Sequence, residues 1–185
     1  MKIVQPIRDL DKLADLLDYF KSTNERNYIM FMLGIHTGLR ISDILKLRVR
    51  DVRGEYIYIR EQKRKKINRV LIVSDLRKAL RPFILNRDDN EYLIKSRKGT
   101  NEPIRRETAY QILNTAAKLH GLKEIGTHTL RKTFGYHFYQ ETKDVAMLQD
   151  ILNHSHPDYT LRYIGVNQDG KDFAMRKFRY KLPSK

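Results

Sequence analysis

The sequence contains no cysteine, which removes disulfides, thiolate nucleophiles and cysteine-ligated zinc from the chemistry open to it. Its longest apolar stretch, residues 28–33, is far shorter than the ~20 residues a helix needs to cross a bilayer, so no membrane partner is expected. Residues 1–6 hold no apolar run of signal-peptide length, and the expected location is cytoplasmic. Acidic residues are also in short supply. There are 22 Asp and Glu against 37 Lys and Arg, a formal net charge of +15 with a pI near 10.0. Such an excess calls for a polyanionic partner. No long amphipathic basic helix offers a membrane face, so nucleic acid is favoured over an acidic lipid surface.

What is present suits one hydrophobic core: 185 residues, 41% of them hydrophobic, are expected to form a single domain over 1–185. Helical spacing of apolar residues predicts helices over 9–20, where Leu10, Leu13, Leu17 and Phe20 repeat at helical intervals behind a cap at Asp9 or the residue before it, and from a cap at Thr23 or Asn24 through Ile35. Further helices are predicted over 41–47, 75–87, 105–120, 128–138, 144–152 and 158–164, with Pro82 distorting or dividing the fourth of the set. Residues 55–60 and 69–73 alternate aromatic or β-branched side chains around a cationic tip, the pattern of a hairpin, and 91–95 reads as a third short strand. The fold class is therefore mainly α with a small antiparallel β-sheet.

The chemistry concentrates in the stretch from Gly126 to Thr133. In a helix over 128–138, His128 and Arg131 share one face while Leu130, Phe134 and Phe138 point into a core. A guanidinium offers a planar fork that matches two phosphate oxygens, and an imidazole moves a proton near neutral pH. Thr37-Gly38-Leu39-Arg40 supplies a second arginine at a helix end. Leu152-Asn153-His154 adds a second histidine, placed where the end of a helix dipole favours a protonated ring. Two tyrosines, Tyr159 and Tyr163, follow four apart on one helix face, and by chemistry alone either could be a nucleophile.

The order and intervals of these boxes resemble the catalytic domain of the tyrosine recombinases, or phage integrases, over about residues 8–165. The Thr-Gly-Leu-Arg box with an acidic residue three positions on is matched by Arg40 and Asp43. The essential lysine of a basic hairpin is matched by Lys63, and the His-x-Leu-Arg box by His128 and Arg131. The third box is matched by His154, with Asn153 where a glycine is usual, and the nucleophile nine residues later is Tyr163.

The resemblance implies site-specific DNA cleavage and rejoining through a 3′-phosphotyrosyl intermediate, with no metal and no other cofactor. Arg40 and Arg131 would stabilise the phosphorane-like charge and His154 would donate to the same phosphate. His128 would be the base for Tyr163, Lys63 the acid for the 5′ oxygen, and Asp43 would orient Arg40 or a histidine. Further contacts to double-stranded DNA are expected from Arg60, Arg64, Lys65, Lys66, Arg69, Arg105, Arg106 and Lys132. Other protomers on the DNA are expected partners, with a helix over 171–180 docking on a neighbour, and the N-terminal domain that most family members carry is expected to be missing from this chain. The rival expectations are a type IB topoisomerase, a non-catalytic DNA-binding protein of the same fold, and a metal-dependent nuclease, for which His154 and His156 are poorly spaced.

Overall fold

Helix α1 (Leu10–Thr23) starts at Asp9, whose carboxylate accepts from the backbone N–H groups of Asp11 and Lys12 and so satisfies two otherwise orphaned donors. The computed structural model describes residues 4–60, 67–123, 125, 126, 128–164, 175, 176, 178 and 179. Asn24 closes α1 and caps α2 (Glu25–Thr37) in turn, its side chain accepting from Asn27 N–H. In α1 the inward pair is Leu16 and Phe20. Leu10 instead stands 65% exposed, because the first residue of the helix lies beyond the edge of the core that the later turns cover.

Helix α2 is buried through five consecutive residues, Ile29 to Leu33. A helix apolar on all sides has no solvent face, and α2 accordingly runs through the centre, touching α1, α4 and α6. Each fully buried Leu, Ile, Phe or Met of this set contributes about 1.5–3 kcal/mol of transfer free energy. Gly34 allows a close approach: a Cβ there would sit 2.5 Å from Leu130 Cδ1 of α6.

After α3 (Ile41–Ile44) and a 3-10 turn (Val49–Val52), the chain forms a hairpin of β1 (Tyr56–Arg60) and β2 (Ile67–Leu71). The pairing is antiparallel, with Tyr58 opposite Arg69 and Arg60 opposite Ile67. Among the described residues the sheet has two strands. Residues 91–95 make only isolated bridges, Arg48 with Tyr92 and Lys95 with Pro103. The segment divides its backbone bonds between two neighbours, Leu93 N–H donating to Leu47 O, Glu91 O accepting from Val49 N–H and Ile94 O from Ile104 N–H, while Arg87 donates to the carbonyls of Leu93 and Tyr92 and the Asn101 side chain accepts from Tyr92 N–H. Helix α4 (Ser74–Ile84) runs through Pro82 without dividing, since the helix ends two residues later and only its last turn bears the loss of a donor.

Helix α5 (Arg106–Leu119) packs Ala109, Leu113, Ala116 and Ala117 inward and leaves Leu119 exposed. Helices α6 (Thr129–Thr142), α7 (Val145–Ile151) and α8 (Pro157–Ile164) complete the described elements. Leu130 joins the main core. Leu148, Leu152 and Ile164 make a second, smaller cluster with Phe134, Phe138 and Tyr163, which seats α7 and α8 on the outer side of α6. Ile151 of α7 is on the exposed side. No described helix is long and apolar enough to cross a membrane.

Candidate active site

Each residue of the Thr37-Gly38-Leu39-Arg40 box has a local task. The Thr37 hydroxyl donates to Leu33 O at 2.6 Å and accepts from Leu39 N–H at 3.2 Å, closing the end of α2. Gly38 turns the chain at φ 62°, a left-handed conformation costly to any residue with a Cβ, and a Cβ there would also lie 2.5 Å from Phe134 Cδ1. Leu39 anchors in the core, and Arg40 emerges exposed as the residue that precedes α3.

Arg131, in the first turn of α6, is 5% exposed. Its Nη1 donates to Gly38 O at 2.6 Å and its Nη2 to Leu152 O. Those carbonyls belong to the C-terminal ends of α2 and α7, where acceptors lack partners within the helix and the dipole favours a cation. One guanidinium therefore ties together the boxes at 37–40, 128–131 and 152–154. Two of its five N–H groups are used in this way, and the guanidinium also hydrogen-bonds the Tyr163 side chain. Among the described residues neither Arg40 nor Arg131 forms an ion pair with a carboxylate. Burial and the charge of Arg40 lower the Arg131 pKa, opposed by Tyr163 and Asp43. Asp43 thus acts on Arg131 through its field.

His128 takes the position just before α6, and its Nδ1 lies 3.3 Å from the Tyr163 hydroxyl. Tyr163 is half-buried on α8, and its ring meets the His154 ring edge-on with centroids 5.0 Å apart. Lys132 places its Nζ 5.0 Å from the centre of the Tyr163 ring while donating to Val4 O at 2.8 Å. Tyr159 also meets His154 edge-on at 5.5 Å, but is 63% exposed.

The electrostatics follow from cations crowding a partly desolvated site. Burial first, then Arg106, Arg131, Arg40 and Lys132, lowers the His128 pKa below its ordinary 6.5. Burial with Arg131 and Arg40 pushes His154 down to about 4. The expectation of a protonated ring at the end of α7 is therefore overturned: two guanidinium charges and desolvation outweigh a helix dipole, and His154 is neutral at pH 7. Burial raises the Tyr163 pKa, while Arg131 and Arg40 pull the other way. Beside these groups opens a cleft of about 630 Å³ lined by Arg40, Asp43 and Arg131 on one side and Tyr58, Asn68 and Val70 of the hairpin on the other.

Arg40, His128, Arg131, His154 and Tyr163, drawn from segments up to 123 residues apart in sequence (163 − 40), meet in this one region. Lys63, Arg64, Lys65 and Lys66 lie outside the described residues, as does the side chain of Arg60. Arg69 stacks over Tyr56 at 4.6 Å. Arg105 and Arg106 are exposed at the start of α5, and the Arg106 charge reaches His128. Lys132, expected on DNA, is half-buried and engaged within the chain. Most of the expected docking helix at 171–180 also lies outside the described residues. Sequence reasoning missed the Lys132 contacts and Thr160, a buried hydroxyl 3.0 Å from His154 Nδ1. Spacing gives no signal for either.

The sequence model of the phage integrase family matches residues 8–169. The chain belongs to that family. Among phage integrase relatives, the probable integrase/recombinase YoeC of Bacillus subtilis is 50% identical over 179 residues, covering 96% of this chain and 98% of YoeC. A tyrosine recombinase of Pseudothermotoga lettingae is 31% identical over 163 residues, 85% of this chain but 56% of the relative. The chain thus spans nearly all of one relative and little more than half of the other. In structure, the XerA recombinase superposes with a TM-score of 0.79 at 25% identity, covering 95% of this chain and 67% of XerA. A lambda integrase dimer bound to a COC′ core site shares the fold with a TM-score of 0.70 at 17% identity, covering all of this chain and 52% of the integrase.

Proposed function

We propose that this phage integrase homologue is the catalytic unit of a site-specific recombinase that cleaves and rejoins double-stranded DNA through a phosphotyrosyl intermediate. The observation that carries the reading is the placement of the Tyr163 hydroxyl 3.3 Å from His128 Nδ1, beside two guanidinium groups that have no carboxylate ion pair among the described residues. Tyrosine is a poor nucleophile while it holds its proton. At pH 7 His128 is neutral and can accept that proton as the phenol oxygen bonds to phosphorus. The P–O5′ bond breaks in the same displacement, and the leaving 5′ oxygen takes a proton from Lys63. The charge that builds on the non-bridging oxygens is met by Arg40 and Arg131, and neutral His154 donates a hydrogen bond to the same phosphate. Rejoining is the reverse, with the 5′-hydroxyl of a partner strand attacking the phosphotyrosine and His128 returning the proton. A lambda integrase dimer on a core site and XerH bound to its difH substrate share this fold, which supports DNA and a second protomer as partners here.

The test is a duplex carrying a nick beside candidate crossover sites, so that cleavage releases a short strand and traps the adduct. The wild-type protein should yield a covalent complex that survives denaturation, and Tyr163→Phe should bind the duplex with unchanged affinity yet yield none. An adduct formed by Tyr163→Phe would refute the assignment. Relaxation of supercoiled DNA without exchange between two sites would place the protein with the topoisomerases instead.

A further inference from the structure

His154 is seated by more than its place in the third box. Asn153 adopts the left-handed conformation at φ 49°, tolerated by asparagine as by the usual glycine. Asn153 N–H donates to Asp150 O at 2.9 Å and His154 N–H to Gln149 O at 3.0 Å, the paired bonds of a Schellman turn. The Gln149 side-chain amide donates back to His154 O at 3.0 Å, so the histidine backbone is held from both sides. Its ring then meets α8, where the edges of Tyr159 and Tyr163 flank it and Thr160 Oγ1 lies 3.0 Å from Nδ1. Thr160 is wholly buried. Thr23, Thr37, Thr133 and Thr142 donate their hydroxyls to the carbonyl four residues back, as helical threonines commonly do. Thr160 faces an imidazole nitrogen.

We propose that Thr160 is a positioning residue that sets the tautomer of His154: its hydroxyl donates to Nδ1, which leaves the single N–H of the neutral ring on Nε2, the nitrogen free to meet a phosphate oxygen. The inference rests on the reading of this site as a phosphoryl-transfer centre and adds to it the group that makes His154 a donor. A neutral imidazole carries one proton, and the bond made by one nitrogen decides the role of the other. With the proton on Nδ1, a lone pair on Nε2 would face the phosphate and repel it. The pKa of about 4 makes the choice matter, since a doubly protonated ring would donate from both nitrogens.

Nitrogen-15 correlation spectra of the histidine rings in DNA-free protein at pH 7 read the tautomer directly, and single-turnover adduct formation on the nicked duplex reads its consequence. Wild type should show His154 protonated on Nε2. Thr160→Val, which keeps the shape and removes the hydroxyl, should admit the Nδ1–H form and slow adduct formation by about 10–100-fold, the usual cost of losing such an outer hydrogen bond. DNA affinity should not change, and Thr160→Ser should recover most of the rate and the wild-type spectrum. A wild-type ring protonated on Nδ1, or a Thr160→Val spectrum identical to wild type, overturns the proposal. Should Thr160→Val fail to fold, the wild-type and Thr160→Ser spectra still decide it. If wild type forms no adduct, the recombinase reading fails on its own while the spectra continue to judge the Thr160 contact.

Discussion

Arg131 is the residue on which the site is assembled, because a buried guanidinium must be satisfied and the acceptors it finds are the ends of two other helices. A lysine at 131 keeps the charge but presents a point donor in place of a planar fork, and cannot span both carbonyls. Arg131→Lys should therefore lose about 1–3 kcal/mol of stability in urea, the cost of leaving a buried carbonyl unpaired, in addition to its loss of cleavage. An unchanged midpoint would deny the structural half of its role. His154 carries a second prediction. Its folded pKa of about 4 lies below the ordinary 6.5, so between these values the unfolded chain binds the proton that the folded chain refuses. Stability from this group is complete above about pH 6.5 and declines as the pH falls toward about 4. Urea midpoints across that window should fall less steeply in His154→Asn than in wild type. At this scale the sequence made Arg40, His128, Arg131, His154 and Tyr163 legible, because each sits in a box whose neighbours have local duties: Gly38 turns, Leu39 anchors, Asn153 turns again. Thr160 and Lys132 were not legible, since their contacts run to a ring and a carbonyl that only the folded chain brings near.

The elements differ in how firmly they hold the site. Helix α8, which carries Tyr163, is seated against α6 at Gly135, where a Cβ would sit 2.7 Å from Ile164 Cγ2. Gly135→Ala should push α8 outward and lower stability by about 1–3 kcal/mol. A displacement of about 1 Å from the His128 ring is enough to slow adduct formation on the order of 100-fold. Thermal melts and single-turnover rates on the same preparation would check both, and an undiminished rate would show that α8 is not positioned through this contact. Helix starts were readable at Asp9 and at Asn24, where a capping side chain stands before an apolar repeat. The third strand expected at 91–95 failed for a physical reason: alternation of apolar residues says that a segment is half-buried, and Leu93 and Ile94 are buried, yet ladder formation needs a neighbour with free backbone groups. Here the backbone bonds are split between 47–49 on one side and Ile104 on the other, too few with either to make a ladder, and Arg87 and Asn101 take up further groups.

For the whole molecule, a formal charge of +15 and a cleft faced by Arg40 and Arg131 would make the proposed binding to DNA largely a matter of counterion release. With about 6–10 phosphates contacted, affinity should fall on the order of 10³–10⁵ between 50 and 200 mM salt. Fluorescence anisotropy with a labelled duplex would measure the slope, and a flat response would contradict the electrostatic reading. The central claim is narrower: the phenol at 163 attacks the phosphate that the dispersed basic groups hold. Trypsin separates the two candidate nucleophiles, since cleavage after Lys143, Arg162 and Lys171 leaves Tyr159 in one peptide and Tyr163 in the next. Mass spectrometry of the adduct trapped on a nicked duplex should find the nucleotide remnant on the peptide that begins with Tyr163. Its appearance on the peptide containing Tyr159, with the Tyr163 peptide unmodified, would contradict the account.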